Sequence, residues 1–404
     1  MTTSLSIQRV INIKFLLRLA ACAIALGFFG NAYSGVLPED RFDALYHRYD
    51  GGGVVVGGEA FLVRKKIGEN LDVNGTYDID MTSSASLDVM TAASPYKEKR
   101  KQYSLGLQYL HGKTTYGITG LKSSEPDYLS NNISYSIKED MFGDLTTVTL
   151  GFTRGRDHVR QHIVDKATRT DTFNDKFLEY GNIVSPRLDR RAYRVGVTQI
   201  LTRKLITTFN YESQALEGFL RNPYRRVRYG DVNSTSISYQ NEIYPHTRTS
   251  NALGLEGRYY LNYRASLKLA YRYYTDTWGI MSSTGEIEYV HPFGEKWISE
   301  WSVRYYSQKK ASFYSDIFPY VDAQNFMARD RELSTMNDMS FHFGIERKWK
   351  FTQKVYIKGS FFYDRIQYNY KDFRDNLNSK LAPANQPLYK YGSNVFMLQA
   401  TLGF

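Results

Sequence analysis

The sequence predicts an all-β protein: a transmembrane antiparallel up-and-down β-barrel of 14 strands, or 16 if the N-terminal stretch is recruited, preceded by a signal peptide. Three observations predict it. Apolar and polar residues alternate with period two after the first 34 residues, short connections alternate with long ones, and the chain closes on an amphipathic strand ending at Phe404. A strand with lipid on one face and a polar interior on the other requires that alternation. The 404 residues include 34 Tyr and 23 Phe, and amphipathic rings suit both membrane–water interfaces. Beyond the N-terminal segment no apolar run approaches the ~20 residues of a transmembrane helix.

Residues 1–34 have the layout of a secretory signal. Arg9, Lys14 and Arg18 bring positive charge, Leu19 to Phe29 form an apolar core, and Ala32-Tyr33-Ser34 place small residues at the cut, after Ser34 or after Ala32. Leu19-Ala20-Ala21-Cys22 resembles a lipidation site, but Arg18 leaves almost no apolar core ahead of that cysteine. Loss of Cys22, the single cysteine, excludes disulfides, thiol catalysis and cysteine zinc sites from the exported chain. The net charge of +11 becomes +8 without the three basic residues of the signal. In an exported chain that balance points to outer-membrane lipid, lipopolysaccharide phosphates or anionic solutes, not to nucleic acid.

Residues 35–69 form an N-terminal segment, either a plug or the first strands. Asp40, Arg41, Asp43, His47, Arg48 and Asp50 match a polar lumen better than lipid, which makes them plug candidates and predicts a narrow, partly occluded pore. The stretches 41–50 and 54–67 could instead be strands, and an even count is expected of a single-chain bacterial barrel.

Residues 70–404 carry the barrel. From Leu71 to Met81 the odd positions are mostly apolar and the even ones polar. Short connections fall near 111–113, 141–144, 201–203, 261–263, 294–296 and 351–354, and longer polar ones near 82–100, 157–189, 215–246, 312–334 and 371–389. Tight periplasmic turns opposite long extracellular loops are the outer-membrane arrangement, which predicts the outer membrane of a Gram-negative cell. No linker marks a second domain. Val148, Leu150 and Phe152 are expected to face lipid, with Thr149 and Gly151 facing the lumen. Phe396, Leu398, Ala400, Leu402 and Phe404 share one face. This resembles the terminal strand recognised by the barrel-assembly machinery, so Phe404 is the expected assembly signal.

The same alternation turns Asp72, Asp78 and Asp80 inward, and farther on Lys268, Arg272, Glu286, Glu288, Glu300, Arg304, His342 and Glu346. Two roles stay open for them: a charged wall that selects solutes, or ion pairs that fill the interior. Both keep charge out of lipid, where a cation at midplane costs about 2–4 kcal/mol. Two arginine clusters, Arg187, Arg190, Arg191 and Arg194, then Arg221, Arg225, Arg226 and Arg228, are either phosphate-binding or solvated loop charges. No catalytic residue, metal site or cofactor is indicated. His158 and His162 lack an acidic third ligand, no spacing singles out a Ser–His–acid triad, and no phosphate-cradling GxxxxGK[ST] loop occurs.

Several whole segments carry a resemblance: Leu37-Pro38-Glu39-Asp40-Arg41 with Tyr46-His47-Arg48-Tyr49-Asp50-Gly51-Gly52-Gly53, Ser83-Ser84-Ala85-Ser86-Leu87-Asp88-Val89 leading to Ala93-Ser94-Pro95-Tyr96, and Asp140-Met141-Phe142-Gly143-Asp144-Leu145-Thr146-Thr147-Val148-Thr149-Leu150-Gly151. Asn222-Pro223-Tyr224-Arg225 and Tyr271-Arg272-Tyr273-Tyr274 continue it. The chain resembles a bacterial family known only as a domain of unknown function and expected to form outer-membrane barrels. The resemblance implies a link to exported redox proteins and brings no catalytic residues. The expected role is a porin-like channel or transport component for small charged solutes, not an enzyme. The alternatives are a non-conducting scaffold or partner-binding barrel of an exported assembly, and an enzyme with a site at the loop rim. Protein partners besides the assembly machinery are not specified.

Overall fold

Period-two alternation is realised as long antiparallel strands in the computed structural model, which describes residues 36–84, 96–165, 170–179, 181–377 and 380–404. The expected signal peptide and Cys22 lie outside the described residues. The wall begins with β1 (Arg41–Gly51), β2 (Val54–Ile67), β3 (Leu71–Ser84), β4 (Tyr96–His111), β5 (Thr114–Ser124), β6 (Tyr128–Met141), β7 (Thr146–Val159) and β8 (Arg187–Thr202). It continues with β9 (Leu205–Gly218), β10 (Thr247–Tyr260), β11 (Ser266–Asp276), β12 (Met281–Phe293), β13 (Trp297–Gln308), β14 (Met336–Lys350), β15 (Tyr356–Arg374) and β16 (Leu388–Gly403). Each strand pairs with its chain neighbours, and β1 pairs with β16 to close the barrel. The larger of the two expected counts is therefore the one formed.

Both stretches of the N-terminal segment are recruited, which corrects the plug expectation. β1 is wall: Arg41 pairs in register with Gly403 on one side and Arg64 on the other. The physical reason is edge saturation. Without β1, the edges of β2 and β16 would present unpaired backbone groups to lipid, at several kcal/mol each. Asp43 and His47 face inward and are buried, whereas Arg48 and Asp50 face outward near the strand end, 3.8 Å apart. Asp40 lies just before the strand, where it accepts hydrogen bonds from Lys65 Nζ at 2.6 Å and the Lys66 N–H at 2.7 Å. The β1–β2 turn is Gly52-Gly53, both at positive φ (59° and 75°), as a two-residue hairpin turn of this hand requires.

The connections at the opposite end, which holds Asp40 and Phe404, are all tight, and the Phe404 N–H donates to the Asp40 carbonyl at 3.2 Å. The Gly52 end also holds the short connections 125–127 and 277–280. The segments 160–186, 219–246, 309–335 and 375–387 all leave the Gly52 end. Outward positions form an apolar belt that includes Leu105, Leu150, Leu255, Ile287, Trp301 and Leu398, all exposed. A water-soluble surface rarely carries a continuous patch of that extent. The closed barrel with this belt is an outer-membrane protein. Toward the tight turns the belt ends in rings: His291 stands 4.6 Å from Phe293 and 5.9 Å from both Tyr263 and Tyr289. Val148, Leu150 and Phe152 are outward, as the alternation predicts, while Asp157 and Val159 farther along β7 are buried inside.

Candidate functional site

The barrel interior holds the candidate site, and it is built in two charged walls. On β1 to β4 the inward positions are dense with carboxylates, which are tolerated without water only when paired and hydrogen-bonded. Asp72 sits 3.5 Å from Arg64. Arg100 reaches Asp78 at 3.1 Å and also hydrogen-bonds Asp80, which His47 approaches at 2.8 Å. The three aspartates expected in the lumen are thus inside, but locked to Arg64 and Arg100. Arg64 and Arg100 fall on inward positions of the same alternation, which is the one signal for them in the sequence.

The second wall runs over β10 to β15. One register row crosses six strands: Arg258, Lys268, Glu288, Ser302, His342 and Asp364. Lys268 is held between Glu288 and Glu286, the latter at 3.0 Å, and Arg258 meets Glu288 at 3.0 Å. His342 binds Asp364 through Nδ1 at 2.7 Å and turns Nε2 toward Glu300, 3.9 Å away. Arg304 pairs with Asp338 at 2.8 Å, and Lys358 with Glu346 at 3.0 Å. Ser302 stands beside His342 in register, yet among the described residues no hydrogen bond joins them, so a Ser–His–acid relay is not assembled there. The carboxylate at Nε2 occupies the direction a nucleophile would need.

Between the walls lies a cavity of about 1160 Å³. Lys268, Arg272, Glu286, Glu288, Glu300, Arg304 and Glu346 all line it, as does Asp78. Opposite the ladder the small neutral side chains Asn74, Thr76, Ser104 and Thr119 line the cavity beside the charged Arg41, Asp43 and Asp78. A third facet is apolar, with Leu45, Ala60, Phe362, Ile366 and Met397. The cavity reaches from Arg41 and Thr401, near the tight-turn end, up to Leu220, Trp278 and Leu333 beneath the loops.

Those loops roof the barrel. Trp278, Tyr244 and Phe313 form a cluster with centroids 5.2 to 5.4 Å apart, Trp278 meeting the other two rings edge-to-face. Arg225 pairs with Asp330 at 2.7 Å, and Arg228 with Asp316 at 2.5 Å and Gln386 at 2.6 Å. Glu242, 1 % exposed, accepts from the Arg329 N–H at 2.7 Å and the Tyr244 hydroxyl at 2.9 Å. Burial pushes its carboxyl up to about 7, against the pull of the Arg225 guanidinium and with help from the Asp330 charge. This corrects the expectation for the second arginine cluster. Arg221, Arg225 and Arg228 are buried because the loops fold inward and supply each with an acceptor; Arg221 takes Glu179 at 2.7 Å. In the first cluster Arg190 and Arg194 face inward, to Asp157 at 2.6 Å and Glu212 at 3.3 Å, while Arg187 and Arg191 face outward.

The family described as Protein of unknown function (DUF3570) matches residues 72–389, and the chain belongs to it. No curated protein matches the chain. Among solved structures, a bacterial polysaccharide outer membrane secretin shares 7 % identity over 91 % of this chain and 100 % of its own, with a TM-score of 0.48. OmpT, an outer membrane protein of Vibrio cholerae, shares 9 % over 91 % and 99 %, with a TM-score of 0.37. A Pseudomonas aeruginosa FadL homologue shares 9 % over 92 % and 96 %, with a TM-score of 0.39.

Proposed function

We propose that this DUF3570 barrel is a gated conduit for small charged solutes across the outer membrane. The observation that carries the proposal is the cavity of about 1160 Å³ that follows the strands and is lined along one side by Lys268, Arg272, Glu286, Glu288 and Glu300. A barrel of this strand number has an interior wider than its own wall side chains fill. Here loops, not an N-terminal plug, narrow it. Paired charges flanking a polar space favour ions and zwitterions, whose charge they replace as hydration is lost.

A second reading is favoured by the roof itself. Buried ion pairs such as Arg225–Asp330 suit a permanently closed barrel that serves as a scaffold or binds a partner. Conductance in planar bilayers separates the two. The intact protein is expected to show small, infrequent openings, and deletion of residues 317–326 in the roof to give a larger, steady conductance. If neither barrel conducts, the conduit fails and the scaffold stands. Deleting residues 35–50 is not a test of a plug, since it removes β1 and breaks closure.

A further inference from the structure

We propose that the outer surface of β5 to β8, at the loop end, is a binding site for the phosphate groups of a phosphorylated glycolipid of the outer leaflet. Arg154 on β7 and Arg191 on β8 are direct cross-strand partners, and both are exposed on the lipid-facing side. Like charges directly opposite on a sheet repel. Their row continues to Ile133 on β6 and Ala215 on β9, neither of which offers a counter-charge. Arg187 lies above on the same face, and Lys122 and Arg156 fall in the next row with Asn131 between them. Asp189 faces Arg156 at 3.7 Å, with the arginine side chain 75 % exposed, and Glu217 on β9 continues that row, so two carboxylates stand among Lys122, Arg154, Arg156, Arg187 and Arg191. Lys99 and Lys101 extend the basic surface onto β4.

Placement identifies the partner. One step toward the membrane centre from Arg154 and Arg191 stand Phe152 and Tyr193, with ring centroids 5.1 Å apart. Below them come Leu150 and Val195, in register. Apolar belt, aromatic ring and cation in that order mark the depth of the headgroups. At the tight-turn end of β6 to β9 the outward strand positions Glu139, Thr146, Gln199 and Thr207 carry no cation, and the exposed Arg203 and Lys204 sit beyond them in the turn. The cation row above the aromatic pair is therefore a feature of the loop end. Guanidinium forks bind phosphate oxygens in bidentate fashion, and a phosphate between Arg154 and Arg191 turns their repulsion into attraction. The Phe152–Tyr193 pair would take the sugar ring or the first carbons of the acyl chains.

The test uses the full-length folded protein in neutral detergent, with native mass spectrometry after addition of bisphosphorylated lipid A. Wild type is expected to retain lipid A, and to retain dephosphorylated lipid A far less. The Arg154→Gln/Arg191→Gln double variant is expected to lose about tenfold in affinity, equivalent to about 1.4 kcal/mol, while Arg48→Gln on the outer face of β1 leaves retention unchanged. Heat-modifiable migration establishes that each variant is a folded barrel. Equal retention of the two lipid A forms, or undiminished retention by the double variant, overturns the proposal. Should the double variant not fold, the wild-type comparison of the two lipids and the single Arg191→Gln variant decide it. Competition by inorganic pyrophosphate alone, with no preference for lipid A, would assign the surface to free phosphate and overturn the lipid assignment.

Discussion

Arg225 Nη1 lies 2.7 Å from Asp330, so a cation of the 219–246 loop is held by a carboxylate of the 309–335 loop, both side chains less than a tenth exposed. The roof of the barrel turns on this pair. Removing one partner of a buried ion pair costs about 3–5 kcal/mol, because the other charge is left without compensation. Asp330→Ala is therefore expected to loosen both loops and leave the wall intact. Hydrogen exchange should rise across 219–246 and 309–335 with strand amides unchanged; unchanged loop exchange would show that the apolar cluster alone holds the roof.

Glu242 makes the roof sensitive to pH. Its carboxyl is raised to about 7 by burial when the loops are packed, whereas in an opened loop it returns to about 4.3. The closed form then binds the extra proton between those values, so stability of closure falls as pH rises through that window and is level above it. Loop protection from exchange, corrected for the intrinsic rate, should be greater at pH 5 than at pH 8. Glu242→Gln should remove the difference while keeping an acceptor for the Arg329 N–H. Equal protection of wild type at both pH values would contradict this account.

Lys268 and Arg272 both line the cavity but differ in their bonds. Lys268 neutralises Glu286 and Glu288 at once. Lys268→Glu would gather three carboxylates and is expected to destabilise the folded barrel by about 3–5 kcal/mol, read as loss of the heat-modifiable form. Arg272→Glu should fold and shift ion preference toward cations, read as a change in reversal potential under a salt gradient in the roof-deleted barrel. A folded Lys268→Glu protein of wild-type stability would mean that the ladder is solvated more than its burial implies.

The two faces of β7 give a test of register. Leu150 is outward and exposed, so Leu150→Arg should be destabilising by about 2–4 kcal/mol near midplane. Thr149→Arg, one residue away on the lumen side, should be tolerated better. The opposite ranking in refolding titrations would place β7 one residue out of register, because a single slip exchanges the faces of a strand.

Much of this architecture is determined by the sequence alone, and the reason is that lipid and lumen impose a local rule. Each strand alternates between two solvents, so position parity suffices to put Glu286, Glu288, Lys268 and Arg272 inside and Leu150 and Leu398 outside. Turn positions are legible for the same local reason: the residues between two alternating runs must reverse the chain. The remaining features are set by contacts between residues far apart in the chain. Whether 41–51 is plug or wall depends on its register with β16, more than 300 residues away, and only closure of the barrel decides it. Arg225 and Arg228 have the composition of a solvated loop, and only the inward fold of the 309–335 loop brings Asp330 and Asp316 to them. The meeting of Arg154 with Arg191 needs β8 to pair with β7 across a connection of 27 residues, 160–186. Parity selects the face on which a charge emerges, and the tertiary fold selects what it meets there.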